Sequence, residues 1–278
     1  MTFLPSATDP DPAPPTTRPS PGLPSARRDT FRQSGYLVLP GFLPGGDFLE
    51  RLRLEIDCWV EGGLRARSIA CCLDEALAGP PPMMELELPA HGELLALPAL
   101  MQIVFELVGA PFVVHHQDSD RQVPGAAGRP WHHDYEANSR PDADLTMLQT
   151  LHYVEGLDES VGSLVLLPGS HRERVPKTAR AHLGTDRLPG EVVIDRLPPG
   201  STVLLHSALF HARRPAAVRG RSRSRYLVDA SYCQTGARWR PSVPYWRYML
   251  RRGRELQLDD GRWPELFEEQ HFTEFTRV

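Results

Sequence analysis

From Phe112 onward the chain is written in short β-forming runs punctuated by proline–glycine turns, and this pattern constrains the fold more than any other feature. The runs are Phe112 to His116, Trp131 to Glu136, Asp144 to Val154, Ser163 to Leu167, Glu191 to Ile194, Ser201 to Ala212 and Arg225 to Cys233. Pro124-Gly125, Pro168-Gly169, Pro189-Gly190 and Pro198-Pro199-Gly200 separate them. Many short strands joined by such turns make a sandwich or barrel of antiparallel sheets. The expected fold class is therefore mainly β, with flanking helices.

The helices lie on either side of this stretch. Residues 1 to about 27 are crowded with proline, serine and threonine, too poor in apolar surface to offset the entropy of ordering, and read as a disordered tail. A helix over Arg28 to Ser34 ends at Gly35, followed by a strand over Tyr36 to Leu39 that Pro40-Gly41 breaks. Phe48, Leu52, Ile56, Trp59 and Val60 recur on one face of a helix through Glu50 to Val60. Leu100, Ile103, Val104, Leu107 and Val108 do the same over Leu97 to Val108. Gly79 to Met84 is a proline-rich loop placed to lie over a cavity mouth. Pro244 to Val278 returns to helical, aromatic-rich patterns and reads as a brace on the outside of the barrel. One domain over residues 28–278, with its β core at about 110–235, accounts for the whole.

Composition narrows the function. Of 278 residues, 41% are hydrophobic and 24% charged, the balance of a soluble globular enzyme. A net charge of -4 gives no positive field to draw the protein to nucleic acid or an acidic membrane. Apolar runs such as Ser201 to Phe210 are too short to span a bilayer, and the N-terminus lacks the basic-then-apolar pattern of a secretory signal. Cys58, Cys71, Cys72 and Cys233 have neither zinc-site nor disulfide-framework spacing. A cytoplasmic protein is the expectation, with no choice between monomer and dimer.

The chemistry concentrates in Trp131-His132-His133-Asp134-Tyr135. In an extended strand, residues two apart share a face, so His132 and Asp134 converge while His133 turns away. An imidazole and a carboxylate, joined by a second histidine from elsewhere, make the facial triad that holds Fe(II) with open positions. His211, at the end of the apolar run that begins at Pro199-Gly200, is the best third ligand. His206 competes; its odd spacing from His211 puts the two on opposite faces of a regular strand, unless Ser207-Ala208 bends it.

Arg213, Arg214, Arg219, Arg221, Arg223 and Arg225 follow. Most read as a solvated basic loop, and no aromatic residue interleaves with them to suggest nucleic acid. Arg225 opens a strand, where its guanidinium can grip a dicarboxylate with paired hydrogen bonds; Arg223 is the alternative. His115, His116 and Gln117 sit on a strand expected beside the metal strand, which makes His116 and Gln117 candidate substrate-pocket residues. Tyr135 and Arg213 join them by proximity. His171, in Pro168-Gly169-Ser170-His171, reads as structural, because Gly169 supplies the turn. Trp131 reads as packing.

These motifs, in this order, resemble the phytanoyl-CoA dioxygenase (PhyH) family of Fe(II)/2-oxoglutarate oxygenases. The resemblance runs from Ser34-Gly35-Tyr36 through Trp131-His132-His133-Asp134, Gly162 to His171, and Pro199-Gly200 with His211, to Arg225. It implies a double-stranded β-helix, or jelly roll, of the cupin-like kind. His132, Asp134 and His211 would be iron ligands, and Arg225 would hold the 2-oxoglutarate C5 carboxylate. The cofactors implied are Fe(II), 2-oxoglutarate and O2, and the retained Asp134 favours hydroxylation or another oxidation over halogenation.

Two departures stand out. Ala212-Arg213 replaces the small residues that often follow the distal histidine. Gln149 and Thr150 stand where relatives often carry tryptophan, giving a more polar cosubstrate wall. The substrate expected is a free small molecule, such as a secondary metabolite or amino-acid derivative. An acyl-CoA thioester is the enzymatic alternative, and a non-catalytic metal-binding sensor or scaffold the alternative of another class.

Overall fold

The computed structural model describes residues 22–73, 83–109, 111–140, 144–173, 175–177, 183–184, 186–216 and 223–276. The tail through residue 21, most of the loop at 79–84, and Arg219 and Arg221 lie outside these residues. The packed chain begins ahead of the expected end of the tail at about residue 27. Leu23 is buried, and its backbone N–H donates to Glu106 Oε2 at 2.7 Å.

The elements in order are α1 (Ser25–Ser34), β1 (Tyr36–Leu39), α2 (Asp47–Glu61), α3 (Leu64–Leu73), α4 (Pro89–Leu95) and α5 (Pro98–Val108), then β2 (Phe112–Gln122), β3 (Arg129–His132), β4 (Met147–Tyr153), β5 (Leu164–Leu166), β6 (Val192–Ile194), β7 (Ser201–His206), β8 (His211–Arg213), β9 (Arg225–Gln234) and α6 (Trp246–Glu255). A five-stranded sheet runs β1-β7-β4-β9-β2 and a four-stranded sheet runs β3-β8-β5-β6. Every pairing is antiparallel, and the two sheets make the jelly roll.

Strand alternation assigns the faces. Leu151, Tyr153, Val203 and Leu205 of the larger sheet cluster with Leu164 and Leu166 of the smaller one, filling the space between the sheets. The opposite face of the larger sheet, with Leu148, Leu204, Ala230 and Tyr232, packs on Leu100, Met101 and Val104 of α5. Phe48, Leu52 and Ile56 of α2 cover Val228 on that same outer face. Every residue of β4 is buried, since both of its faces are covered.

Several boundaries differ from the sequence reading for identifiable reasons. Ser201 to Ala212 is not one strand: the chain turns over Ser207 to Phe210, with Leu209 N–H on the His206 carbonyl at 2.7 Å. The short helices α3 and α4 lack the long apolar stripe that announces α2. Beyond α6 the C-terminal part is mostly turns rather than helix, because backbone groups of the barrel recruit it. Val114 N–H donates to the Leu266 carbonyl at 2.8 Å where β2 slips register, and Trp239 N–H donates to the His271 carbonyl at 2.7 Å. The stretch Pro89–Val108 is long and apolar enough to cross a membrane by composition, but half of its apolar window is buried in the fold. Its Leu94, Leu95, Leu100 and Met101 are core residues.

Candidate active site

The motif Ser34-Gly35-Tyr36 and the motif Pro168-Gly169-Ser170-His171 interlock beneath the site. Gly35 takes φ 83°, and a Cβ there would lie 2.5 Å from His171 Nδ1. Gly169 N–H donates to the Ser34 carbonyl at 2.9 Å, and His171 Nε2 lies 3.2 Å from the Arg32 carbonyl. Ser170 Oγ then accepts Phe210 N–H at 2.9 Å, fixing the β7–β8 turn. His206, at the start of that turn, packs its ring on His171 and accepts Ala208 N–H at 3.2 Å. That engagement explains why the turn hands the inner face to His211.

His211 stands opposite His132 across the β3–β8 pair and opposite Leu166 on β5, which puts it on the inner face. The two imidazoles are 4.2 Å apart by ring centroid. β3 ends at His132, so Asp134 lies just beyond the strand, where its backbone N–H donates to the Ser207 carbonyl at 2.8 Å. Asp134 Oδ2 is 3.3 Å from His211 Nε2, and Oδ1 is 3.9 Å from His132 Nε2. One donor atom from each of the three residues lies within 4.8 Å of the others.

The tautomers follow from the carbonyls behind the rings. His132 Nδ1 donates to the Pro130 carbonyl at 2.7 Å and His211 Nδ1 to the Leu209 carbonyl at 3.0 Å. Each Nε2 is thereby left to present a lone pair, the arrangement metal-binding histidines adopt. His132 Nε2 and Asp134 Oδ2 are buried without a hydrogen-bond partner among the described residues. Burial, reinforced by His211, pushes the His132 imidazole down to about 3, so it is neutral at ordinary pH. Burial works against the Asp134 carboxylate, yet His211, His132 and Arg129 together hold it well below its usual range. Two imidazole nitrogens and a carboxylate thus converge on one point, where a cation would complete the set. The donor set fits a first-row divalent ion, Fe(II) above all, with coordination positions left open.

His133 turns away as its alternation requires: Nε2 lies 2.9 Å from the Val175 carbonyl and the ring packs edge-on against Phe210. Tyr135 donates its hydroxyl to the Leu145 carbonyl at 3.1 Å. It borders a cavity of about 780 Å³ whose lining also includes Glu136, Lys177, Arg240 and Phe275. Trp131 is fully buried on the outer side of the small sheet, with Nε1 donating to the Asp186 carbonyl at 2.8 Å.

Arg225 begins β9 and is only 4% exposed. Its Nη2 donates to Tyr153 Oη at 3.0 Å, while Nε and Nη1 are buried without partners among the described residues. A buried guanidinium with two free donors is an anion site in waiting. Arg213, two residues beyond His211 on the same strand face, joins it. One Nη donates to the Ala127 carbonyl, Nε is buried without a partner among the described residues, and burial followed by the charge of Arg225 holds its pKa below the usual guanidinium range. Arg223 is differently placed, paired with Glu155 at 3.1 Å and Asp158 at 3.3 Å.

Two expected site residues face the wrong way. Thr150 stands across from Leu204 and Ala230 on the outer, helix-covered face, its Oγ1 donating to the Ala230 carbonyl at 3.1 Å. Gln117 also stands across from Ala230, and its Nε2 donates to the His91 carbonyl at 3.1 Å. Neither reaches the space between the sheets. Gln149 and His116 do, and both approach Asp229: Gln149 Nε2 donates to Oδ2 at 2.8 Å and His116 Nε2 is 3.9 Å from Oδ1. Asp229 itself escaped the sequence reading, although a carboxylate four residues from Arg225 on one strand face was a usable signal.

A jelly roll carrying a His-Asp-His cluster on its inner face defines a mononuclear non-haem metal enzyme. Residues 31–217, more than half of the chain, match the phytanoyl-CoA dioxygenase (PhyH) family, and the protein belongs to that family. It is a dioxygenase. Dioxygenase lolE1 of Epichloe uncinata is 28% identical over 207 residues, covering 71% of this chain and 78% of the relative. The fold is shared with the non-haem α-ketoglutarate-dependent carbocyclase SnoK from nogalamycin biosynthesis. There the TM-score is 0.59 at 19% identity, covering 80% of this chain and 88% of SnoK. It is also shared with HygX from Streptomyces hygroscopicus, solved with nickel, 2-oxoglutarate and hygromycin B. For HygX the TM-score is 0.56 at 19% identity, covering 78% of this chain and 89% of HygX.

Proposed function

We propose that the protein is an Fe(II)- and 2-oxoglutarate-dependent dioxygenase that hydroxylates, or otherwise oxidises, a C–H bond of a small secondary metabolite or amino-acid derivative. The observation that carries this reading is the convergence of His132, Asp134 and His211 with both Nδ1 atoms tied to carbonyls. The iron, when bound, supplies the oxidative chemistry: substrate, 2-oxoglutarate and O2 become hydroxylated product, succinate and CO2.

The chain's own residues bind and orient. Arg225 offers Nε and Nη1 to the far carboxylate of 2-oxoglutarate, with Tyr153 bracing its third nitrogen and Arg213 adding positive charge. Leu151, Leu166 and Leu205 line the interior with apolar surface that keeps bulk water away. Asp134 stays ionised because its neighbours favour the charged form. SnoK and HygX, both tied by name to secondary metabolites, support the substrate class.

Arg214 and Arg223, the described arginines of the 213–225 run outside the Arg225–Arg213 anion site, are not a free phosphate patch, which weighs against an acyl-CoA substrate. Arg214 is paired with Glu191 at 2.7 Å, and Arg223 with Glu155 and Asp158. Anaerobic addition of Fe(II) and 2-oxoglutarate tests the reading. A visible charge-transfer band, followed by succinate release when O2 is admitted, supports it. A metal complex inert to O2 and to 2-oxoglutarate identifies a scaffold instead.

A further inference from the structure

The inner face of β2 and β9 carries charge of its own, apart from the His132–Asp134–His211 cluster and Arg213. Asp118 and Asp229 stand directly across from one another in register, and His116 stands across from Ser231 in the next inward pair. Like charges directly opposite on neighbouring strands are destabilising, so this pair calls for a counter-charge. Among the described residues one cation is within hydrogen-bond reach of the pair and a second stands further off. Arg65 of α3 reaches Asp118 Oδ2 at 2.8 Å, and His116 lies 3.9 Å from Asp229 Oδ1. Asp120, next along the inner row, is hydrogen-bonded to Gln122 at 2.8 Å.

Four acceptors in this cluster remain unused. Asp118 Oδ1 and Asp229 Oδ1 have no hydrogen-bond partner among the described residues. Neither do Gln149 Oε1 and Ser231 Oγ, on side chains 2% and 0% exposed. The Gln149 amide is held on Asp229 and Ser231 is its cross-strand neighbour, so both acceptors belong to the same cluster. Asp118 and Asp229 keep 31% and 21% of their side-chain surface exposed, on strand positions that face the barrel interior, while the four unused acceptor atoms themselves are buried. Burial, with Asp229 and Asp120 adding to it and Arg65 and His116 opposing, pushes Asp118 up to about 6. His116 lies against the same pair: burial works against its charge, while Asp229 and then Asp118 raise its pKa above the usual imidazole range.

We propose that the substrate presents a cationic nitrogen, an ammonium of any substitution, to Asp229 and Asp118, with Gln149 Oε1 and Ser231 Oγ accepting its remaining N–H groups. This rests on the oxygenase reading and narrows it to amine-bearing metabolites. Two carboxylates fix one end of the molecule, so the C–H bond presented to the His132–Asp134–His211 centre is chosen by its distance from the charged nitrogen.

The test uses full-length protein loaded anaerobically with Fe(II) and 2-oxoglutarate, and ligand-observed NMR titrations of matched probes. Cyclohexylammonium and benzylammonium are compared with cyclohexanol and benzyl alcohol. The expected result is a preference of about 10-fold or more for each cation, falling at least severalfold in Asp229→Asn, with the visible cosubstrate band retained. Asp118→Asn provides the second variant, and the melting temperature of each verifies folding. Equal binding of cationic and neutral partners to the wild type overturns the proposal, as does a preference undiminished in both variants. Absence of the cosubstrate band from the wild type would instead strike the oxygenase reading, so the two failures are distinguishable.

Discussion

His211 Nε2 lies 3.3 Å from Asp134 Oδ2, although the two residues are held by different parts of the chain: the histidine by β8, the aspartate by a hydrogen bond from its backbone to Ser207. Ser207 belongs to the turn that delivers His211, so one turn positions both side chains. The geometry of the centre is thus a property of the β7–β8 connection as much as of the His132–Asp134 motif.

Replacing Asp134 by alanine removes the only anionic donor of the cluster. Turnover is expected to fall by roughly 10³ or more, measured as succinate and product formed under saturating Fe(II). Thermal stability without metal is expected to fall by no more than a few degrees, because the carboxylate's described ion-pair contacts, to His211, His132 and Arg129, lie at 3.3, 3.9 and 3.9 Å.

Arg225 and Arg223 separate cleanly. Loss of the buried Arg225 guanidinium deprives a carboxylate of charge-assisted hydrogen bonds, so Arg225→Ala is expected to raise the KM for 2-oxoglutarate by about 10- to 100-fold. Arg225→Lys rescues poorly, since an ammonium cannot reproduce the paired donors. Arg223→Ala leaves that KM unchanged and costs at most about 1 kcal/mol of stability, as partly exposed ion pairs do. Steady-state kinetics at varied 2-oxoglutarate read both outcomes.

Gly35→Ala is expected to destabilise without touching the chemistry directly. The φ of 83° and the 2.5 Å approach to His171 both oppose a Cβ, and such strain costs on the order of 1–3 kcal/mol. Denaturant unfolding measures the loss, while the surviving folded protein should bind Fe(II) and 2-oxoglutarate normally.

Acid sensitivity follows from imidazoles buried in neutral form away from the centre. Burial pushes His152 down to about 3, and burial with His116 pushes His115 down to about 3. Between that value and the ordinary histidine value near 6.5, the unfolded chain binds protons that the folded one refuses. Stability is therefore full above about 6.5 and falls with pH below it, by up to about 1.4 kcal/mol per pH unit for each imidazole. Melting curves from pH 7 to pH 5 should show this slope, and it should be shallower in His152→Leu.

How far the sequence reached depends on whether a residue's neighbours lie on its own strand. His132 and Asp134 are two apart, and that spacing announced their convergence even though the strand stops at His132. The β7–β8 turn that separates His206 from His211 was only one of two open geometries, decided by contacts to Ser170 and Gly35 that are remote in sequence. Thr150 was misplaced because β4 is buried on both faces and gives no polar alternation from which to read its phase. Gln117 was misplaced because the irregularity between Val114 and His116 resets the phase of β2. The Asp118–Asp229 pair arises from β2–β9 register, which no local pattern encodes.

The most direct measurement is anomalous diffraction at the iron edge from crystals grown anaerobically with Fe(II). A single peak about 2 Å from His132 Nε2, His211 Nε2 and an Asp134 oxygen is the expected result. A peak bound through His206 or His116, or no peak among these three side chains at full iron loading, would contradict it.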